Sequence, residues 1–65
     1  MKNYYEEFEN IIIKHLQNIV SGREDYINFQ IYGFSQEDVK RYWRRMKRHY
    51  SLPRAKRIES ATISF

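Results

Sequence analysis

The sequence predicts a small α+β domain of helix-strand-helix-strand order, its strands completed into a larger sheet by homodimerisation. Three observations lead there. Residues 4–21 and 36–50 place apolar side chains at helical spacing. Residues 26–32 and 58–65 alternate as strands do. The only glycines, Gly22 and Gly33, and the only proline, Pro53, fall at or near the ends of these stretches. No internal repeat, low-complexity tract or Gly/Ser linker divides the chain, so one domain over residues 1–65 is expected.

In the first helix, Asn3 is the expected N-cap, with Glu6 three residues on as in a capping box. Tyr4, Tyr5, Phe8, Ile11, Ile12, His15, Leu16 and Ile19 fall on one broad arc. Glu6, Glu7, Asn10, Lys14, Gln17 and Asn18 fall opposite. Gly22 suits the left-handed position that ends many helices. Within residues 26–32, Ile27, Phe29 and Ile31 share one strand face and Tyr26, Asn28, Gln30 and Tyr32 the other; Gly33 closes the strand.

Residues 36–50 carry the clearest helical signal. Ser35 can cap them, Glu37 and Asp38 suit the positive end of the helix dipole, and Phe34 with Val39 makes a hydrophobic staple. Val39, Tyr42, Trp43, Met46 and Tyr50 form one apolar stripe. Residues 51–57 are expected as a loop and 58–65 as a final strand with Ala61, Ile63 and Phe65 on one face. A short helix over 53–60 is the alternative, because Arg-Ala-Lys-Arg tolerates helix. A strand-helix-strand unit normally makes its strands parallel, and a two-stranded sheet alone is weak. Hence the expectation that strands meet across a symmetric dimer.

With 65 residues the chain buries only about 60% of its unfolded surface. Small domains are usually reinforced by disulfides, a metal or self-association. There is no cysteine, and His15 and His49 are the only imidazoles, so no metal or cofactor is expected. Eleven aromatic residues supply either a dense core or an interface. No apolar run approaches the roughly 18 residues of a membrane span, and Met1 to Glu7 lacks a signal-peptide core. These features lead to an expectation of a soluble, cytoplasmic protein.

Charge is sharply divided. Residues 1–38 hold three basic and seven acidic side chains, residues 39–65 nine basic and one acidic. Lys40, Arg41, Arg44, Arg45, Lys47 and Arg48 fill the arc opposite the apolar stripe of the second helix, and Arg54, Lys56 and Arg57 follow in the loop. Ordinary solvated helix faces mix signs, because opposite charges at i,i+4 stabilise by about 0.2–0.5 kcal/mol. Here Lys40–Arg44, Arg41–Arg45 and Arg44–Arg48 are like-charged i,i+4 pairs, each costing a similar few tenths. Another surface is expected to supply the missing negative charge. DNA or RNA is the commonest such surface, and four of the six helix cations are Arg, whose planar fork grips phosphate or guanine in two places. His49 could add a hydrogen bond.

The plainer explanations are a solvated face that keeps the chain in solution, or one neutralised by the acidic half. Trp43 and Tyr42 could stack on bases, but their place on the apolar stripe makes them core. Tyr26 and Tyr32 are better candidates for stacking or for an interface. His15 is expected to be packed and hydrogen-bonded rather than a ligand, and Glu6, Glu7 and Glu9 to be a solvated helix start.

No catalytic constellation stands out: there is no Gly-rich phosphate loop, no HExxH and no cysteine nucleophile. Ser35 is better explained as a cap. Glu24-Asp25 and Glu37-Asp38 are adjacent pairs, which do not converge on one ion. The expectation is therefore a non-enzymatic nucleic-acid-binding regulator, working through the nine cations of residues 40–57. A dimer would set two such helices on a two-fold duplex site. The alternative is an inhibitor or adaptor of the phage or mobile-element kind that lays its arginines on an acidic host protein; a structural or assembly subunit is a third. No helix-turn-helix, ribbon-helix-helix or zinc-finger pattern is matched.

Overall fold

A computed structural model describes residues 3–65; Met1 and Lys2, counted in the domain above, lie outside the described residues. The first helix, α1, runs Tyr4–Val20. Asn3 caps it, its side-chain oxygen accepting from the backbone N–H of Tyr5 and Glu6 at 3.1 and 3.3 Å. At the other end Arg23 N–H donates to the Asn18 carbonyl and Gly22 N–H to that of Ile19, the paired bonds of a Schellman motif. Gly22 takes the φ of +80° that this ending needs.

The expected strand over 26–32 is only half strand. β1 covers Tyr26–Asn28, and Phe29–Tyr32 form one turn of 3-10 helix, η1. The switch occurs at Asn28, whose side chain accepts from the N–H of Gln30 at 3.0 Å and so starts a helical turn. Phe29 remains in the core, whereas Ile31, expected on the same face, is exposed. Gly33, at φ +88°, ends η1. Gly33-Phe34-Ser35 then lead into α2, Gln36–Lys47. Ser35 Oγ accepts from Asp38 N–H at 3.2 Å, and the staple pair Phe34 and Val39 is buried. The 3-10 turn was hidden in the sequence because residues 26–32 alternate like a strand.

α2 is shorter than the 36–50 expected. Val39, Trp43 and Met46 are buried and Tyr42 half-buried, but Tyr50 leaves the stripe: it is exposed and donates its hydroxyl to Glu9 of α1 at 2.8 Å. Residues 51–56 have no regular structure, so the alternative helix over 53–60 does not form. The single strand expected over 58–65 is instead a hairpin, β2 (Arg57–Glu59) and β3 (Thr62–Ser64). Its two-residue loop is Ser60-Ala61, both at positive φ (52° and 56°), as a type I′ turn requires. Nothing in Ser-Ala announces that turn, since Asn and Gly are its usual residues.

The sheet has the order β1-β3-β2, with β3 antiparallel to both neighbours. This corrects the expected parallel pairing. β1 and β2 do run the same way, as the strand-helix-strand rule asks, but β3 lies between them. The chain thus provides its own third strand, and the need for a second copy to widen a two-stranded sheet falls away. Between sheet and helices lies a core to which eleven of the described residues, all apolar, contribute buried side chains. At its centre Phe8 stacks on Phe29 at 4.5 Å, with Phe34 edge-on to both. Trp43 packs edge-to-face on Phe65. No helix among the described residues is long and apolar enough to cross a membrane.

Candidate nucleic-acid interface

All nine cations of residues 40–57 singled out above are exposed, but the six of the helix stretch, residues 40–48, divide between two flanks. Lys40, Arg44 and Lys47 stand at i, i+4 and i+7 and form one row. That row faces β2 and, with Lys56 and Arg57, lines an open groove of about 430 Å³. Trp43, Ala55 and Ile58 supply its apolar lining. Five of the nine residues are thereby brought together, three from α2 and two from the end of the loop and the start of β2 that follow it.

Arg41, Arg45 and Arg48 form the other row. Arg41 pairs with Asp38 at 2.8 Å, and its guanidinium lies 5.3 Å from the Tyr42 ring centre. Arg45 sits 4.0 Å over the ring of Tyr5 in α1, a cation–π contact. This flank is therefore partly satisfied by the protein itself. Arg54, in the loop, does not line the groove.

In the groove the only ion pair among the described residues is Arg57 with Glu59 at 3.3 Å, both well exposed. Such surface pairs contribute little. Lys40, Arg44, Lys47 and Lys56 have no carboxylate within pairing distance among the described residues. Among the described residues no carboxylate of the acidic half forms an ion pair with this row. Glu24 is held by Asn18 and His15 at 3.0 and 2.8 Å, Glu9 takes the Tyr50 hydroxyl, and Asp38 takes Arg41. The Asn18 amide bond, and after it the His15 ring, hold the Glu24 carboxyl below its usual range despite some opposing desolvation. The bond to Glu9 holds the Tyr50 hydroxyl above its usual range.

One residue absent from the candidates of the sequence ties the groove together. Gln36, at the first turn of α2, donates its side-chain N–H to the Ile58 carbonyl at 3.1 Å and accepts from Ala61 N–H. One amide thus pins the hairpin to the start of α2 and sets the separation of the two basic walls. A polar residue just after the Ser35 cap was the only available signal, and it is an ordinary residue for that place.

Of the stacking candidates, Trp43 is 4% exposed and Tyr42 lies within the aromatic cluster. Both belong to the core. Tyr26 and Tyr32 are exposed and line, with His15, a separate hollow at the other edge of the sheet; the Tyr32 hydroxyl is 3.4 Å from the His15 Nε2. His15 is half-buried and hydrogen-bonded on both ring nitrogens. His49 is exposed. Among the described residues no group of three or more His, Asp or Glu stands where it could hold a metal ion. Comparison with protein-family models, curated proteins and solved structures finds no match for this chain.

Proposed function

We propose that the protein is a non-enzymatic, cytoplasmic regulator that binds duplex DNA, with α2 as its recognition helix. The observation that carries this reading is the groove between α2 and β2, where five cations converge and four lack any carboxylate partner among the described residues. Phosphates are the natural complement: lysine and arginine displace their counterions, which supplies affinity without sequence readout. The major groove of duplex DNA admits an α-helix, and the cations of α2 stand exposed on its surface. Arg44, on the flank without carboxylate partners, is long and planar enough to reach guanine edges, and Lys56 and Arg57 across the groove suit the flanking backbone. Single-strand binding is less well supported, because it relies on exposed aromatic platforms and Trp43 and Tyr42 are packed inside. A homodimer would present two such helices to a two-fold site.

Polarisation titrations of a labelled duplex at several salt concentrations test this. Engagement of the groove by its five cations predicts a slope of log K against log salt of about −4 to −5. Undetectable binding at low salt, with retention of one acidic protein, would replace this reading with that of an inhibitor or adaptor directed at a protein.

A further inference from the structure

Beside β1, at the sheet edge away from the basic groove, four polar side chains form one hydrogen-bonded row. Asn18 and His15 come from α1, Glu24 from the turn after it and Tyr32 from the end of η1. The Asn18 amide donates to one Glu24 oxygen at 3.0 Å, and the other Glu24 oxygen is 2.8 Å from His15 Nδ1. The opposite ring nitrogen, Nε2, lies 3.4 Å from the Tyr32 hydroxyl.

The carboxylate decides where the protons sit. An ionised carboxyl only accepts, so Nδ1 carries the hydrogen, and in the neutral ring Nε2 is left as the acceptor. The Tyr32 hydroxyl therefore donates to Nε2. Glu24 stays ionised, because its bonds to Asn18 and His15 hold its carboxyl below the usual range. A hydroxyl on a base, with that base oriented by a third group, is the arrangement of an activated nucleophile. Phenol, imidazole and carboxylate take the roles of hydroxyl, imidazole and carboxylate in a serine triad.

The phenol is reachable. Tyr32 is 41% exposed and lines, with His15 and Glu24, an open hollow of about 510 Å³. The hollow also selects the electrophile. Tyr26, Ile27 and Ile31 give it apolar walls. Arg23, Glu24 and Asp25 give it more negative than positive charge, which disfavours a phosphoryl anion. An uncharged, activated acyl group suits both features.

We propose that Tyr32 accepts an acyl group from an activated ester or thioester, with His15 as the base and Glu24 as the residue that orients it. Tyr32 Oη attacks the carbonyl carbon as its proton passes to His15 Nε2. The bond from that carbon to the leaving group then breaks, and the leaving oxygen or sulfur takes the proton from Nε2. The products are an aryl ester on Tyr32 and a free alcohol or thiol, one equivalent per chain. The reaction is a modification without turnover and does not rest on nucleic-acid binding.

Treatment with p-nitrophenyl acetate at neutral pH tests it, the acylation rate of each tyrosine being read by acid quenching and mass spectrometry of peptic peptides. Tyr4 and Tyr26 are internal controls. At 58% and 59% they are more exposed than Tyr32, and neither bonds to an imidazole among the described residues. Tyr26 also lines the same hollow. Tyr32 should react at least about tenfold faster than either, the low end of what a positioned base supplies. His15→Gln should bring Tyr32 down to the rate of Tyr26, and Glu24→Gln should slow it. Circular dichroism checks the fold of each variant, and the comparison between tyrosines needs no variant. Phenylmethylsulfonyl fluoride, whose adduct persists, repeats the comparison should the ester hydrolyse. Equal rates at Tyr32 and Tyr26 with both reagents overturn the proposal. So does an advantage of Tyr32 that survives in folded His15→Gln.

Discussion

The two flanks of α2 have nearly the same composition and opposite fates. Arg41 and Arg45 lean back on the protein, one on Asp38 and one on Tyr5. Lys40, Arg44 and Lys47 face a groove with two more cations across it and no carboxylate in reach among the described residues. Charge count does not distinguish the flanks; the neighbours brought up by the fold do. A run of cations on a helix is thus a poor guide to a binding surface until the partners of each one are known. The partly satisfied flank stabilises the protein, and the other flank is the one proposed above to meet a ligand.

The sharpest way to break that contrast is at the groove floor. Trp43→Ala should lower stability by about 3–5 kcal/mol, measured by thermal or urea unfolding, because the ring is core. Trp43→Phe should fold and still bind duplex DNA. Loss of binding at unchanged stability in that variant would make the ring part of the contact surface. Next in size is Gln36→Ala. It leaves Ala61 N–H and the Ile58 carbonyl without their partner, a loss of about 1–3 kcal/mol, and it loosens the spacing of the groove walls, so DNA affinity should fall as well.

The flanks themselves come third. Arg44→Ala and Lys47→Ala should each reduce the salt slope of binding by about one with little change in stability. Arg45→Ala should instead lose about 0.5–1 kcal/mol of stability with the cation–π contact and weaken DNA binding less. Equal binding losses on both flanks would erase the distinction. The smallest effect concerns the acidic half. The carboxyl of Glu24 is held below its usual range, so it contributes stability above that range and loses it as pH falls through its lowered value. Glu24→Gln should therefore be destabilising at neutral pH and match the wild type in acid, in melts followed across the carboxylate range, with no effect on DNA binding.

Several elements were legible in the sequence because their signals are local. Asn3, Ser35, Gly22 and the Phe34–Val39 pair mark both helices, and the 3.6-residue stripe identified Val39, Trp43 and Met46 as core. The exposure of the nine cations was legible too. Other features left no trace in alternation or helical spacing. Asn28 breaks a strand pattern by capping a 3-10 turn, which alternation cannot reveal. Ser60-Ala61 holds a turn that its residues do not favour, so a hairpin looked like one strand, and the sheet looked one strand short. The division of the cations between two flanks required the position of β2, which no helical pattern contains.

That unfavourable turn has a consequence for assembly. Left-handed backbone costs an L-residue about 1–2 kcal/mol, and Ser60 and Ala61 both adopt it. Ala61 is held there from outside the hairpin, by Gln36 on one side and by Phe29, which donates to its carbonyl, on the other. The hairpin has little reason to form alone in the unfolded chain. Its shape is therefore secured by α2 and η1, so one bank of the groove depends on the other for its conformation.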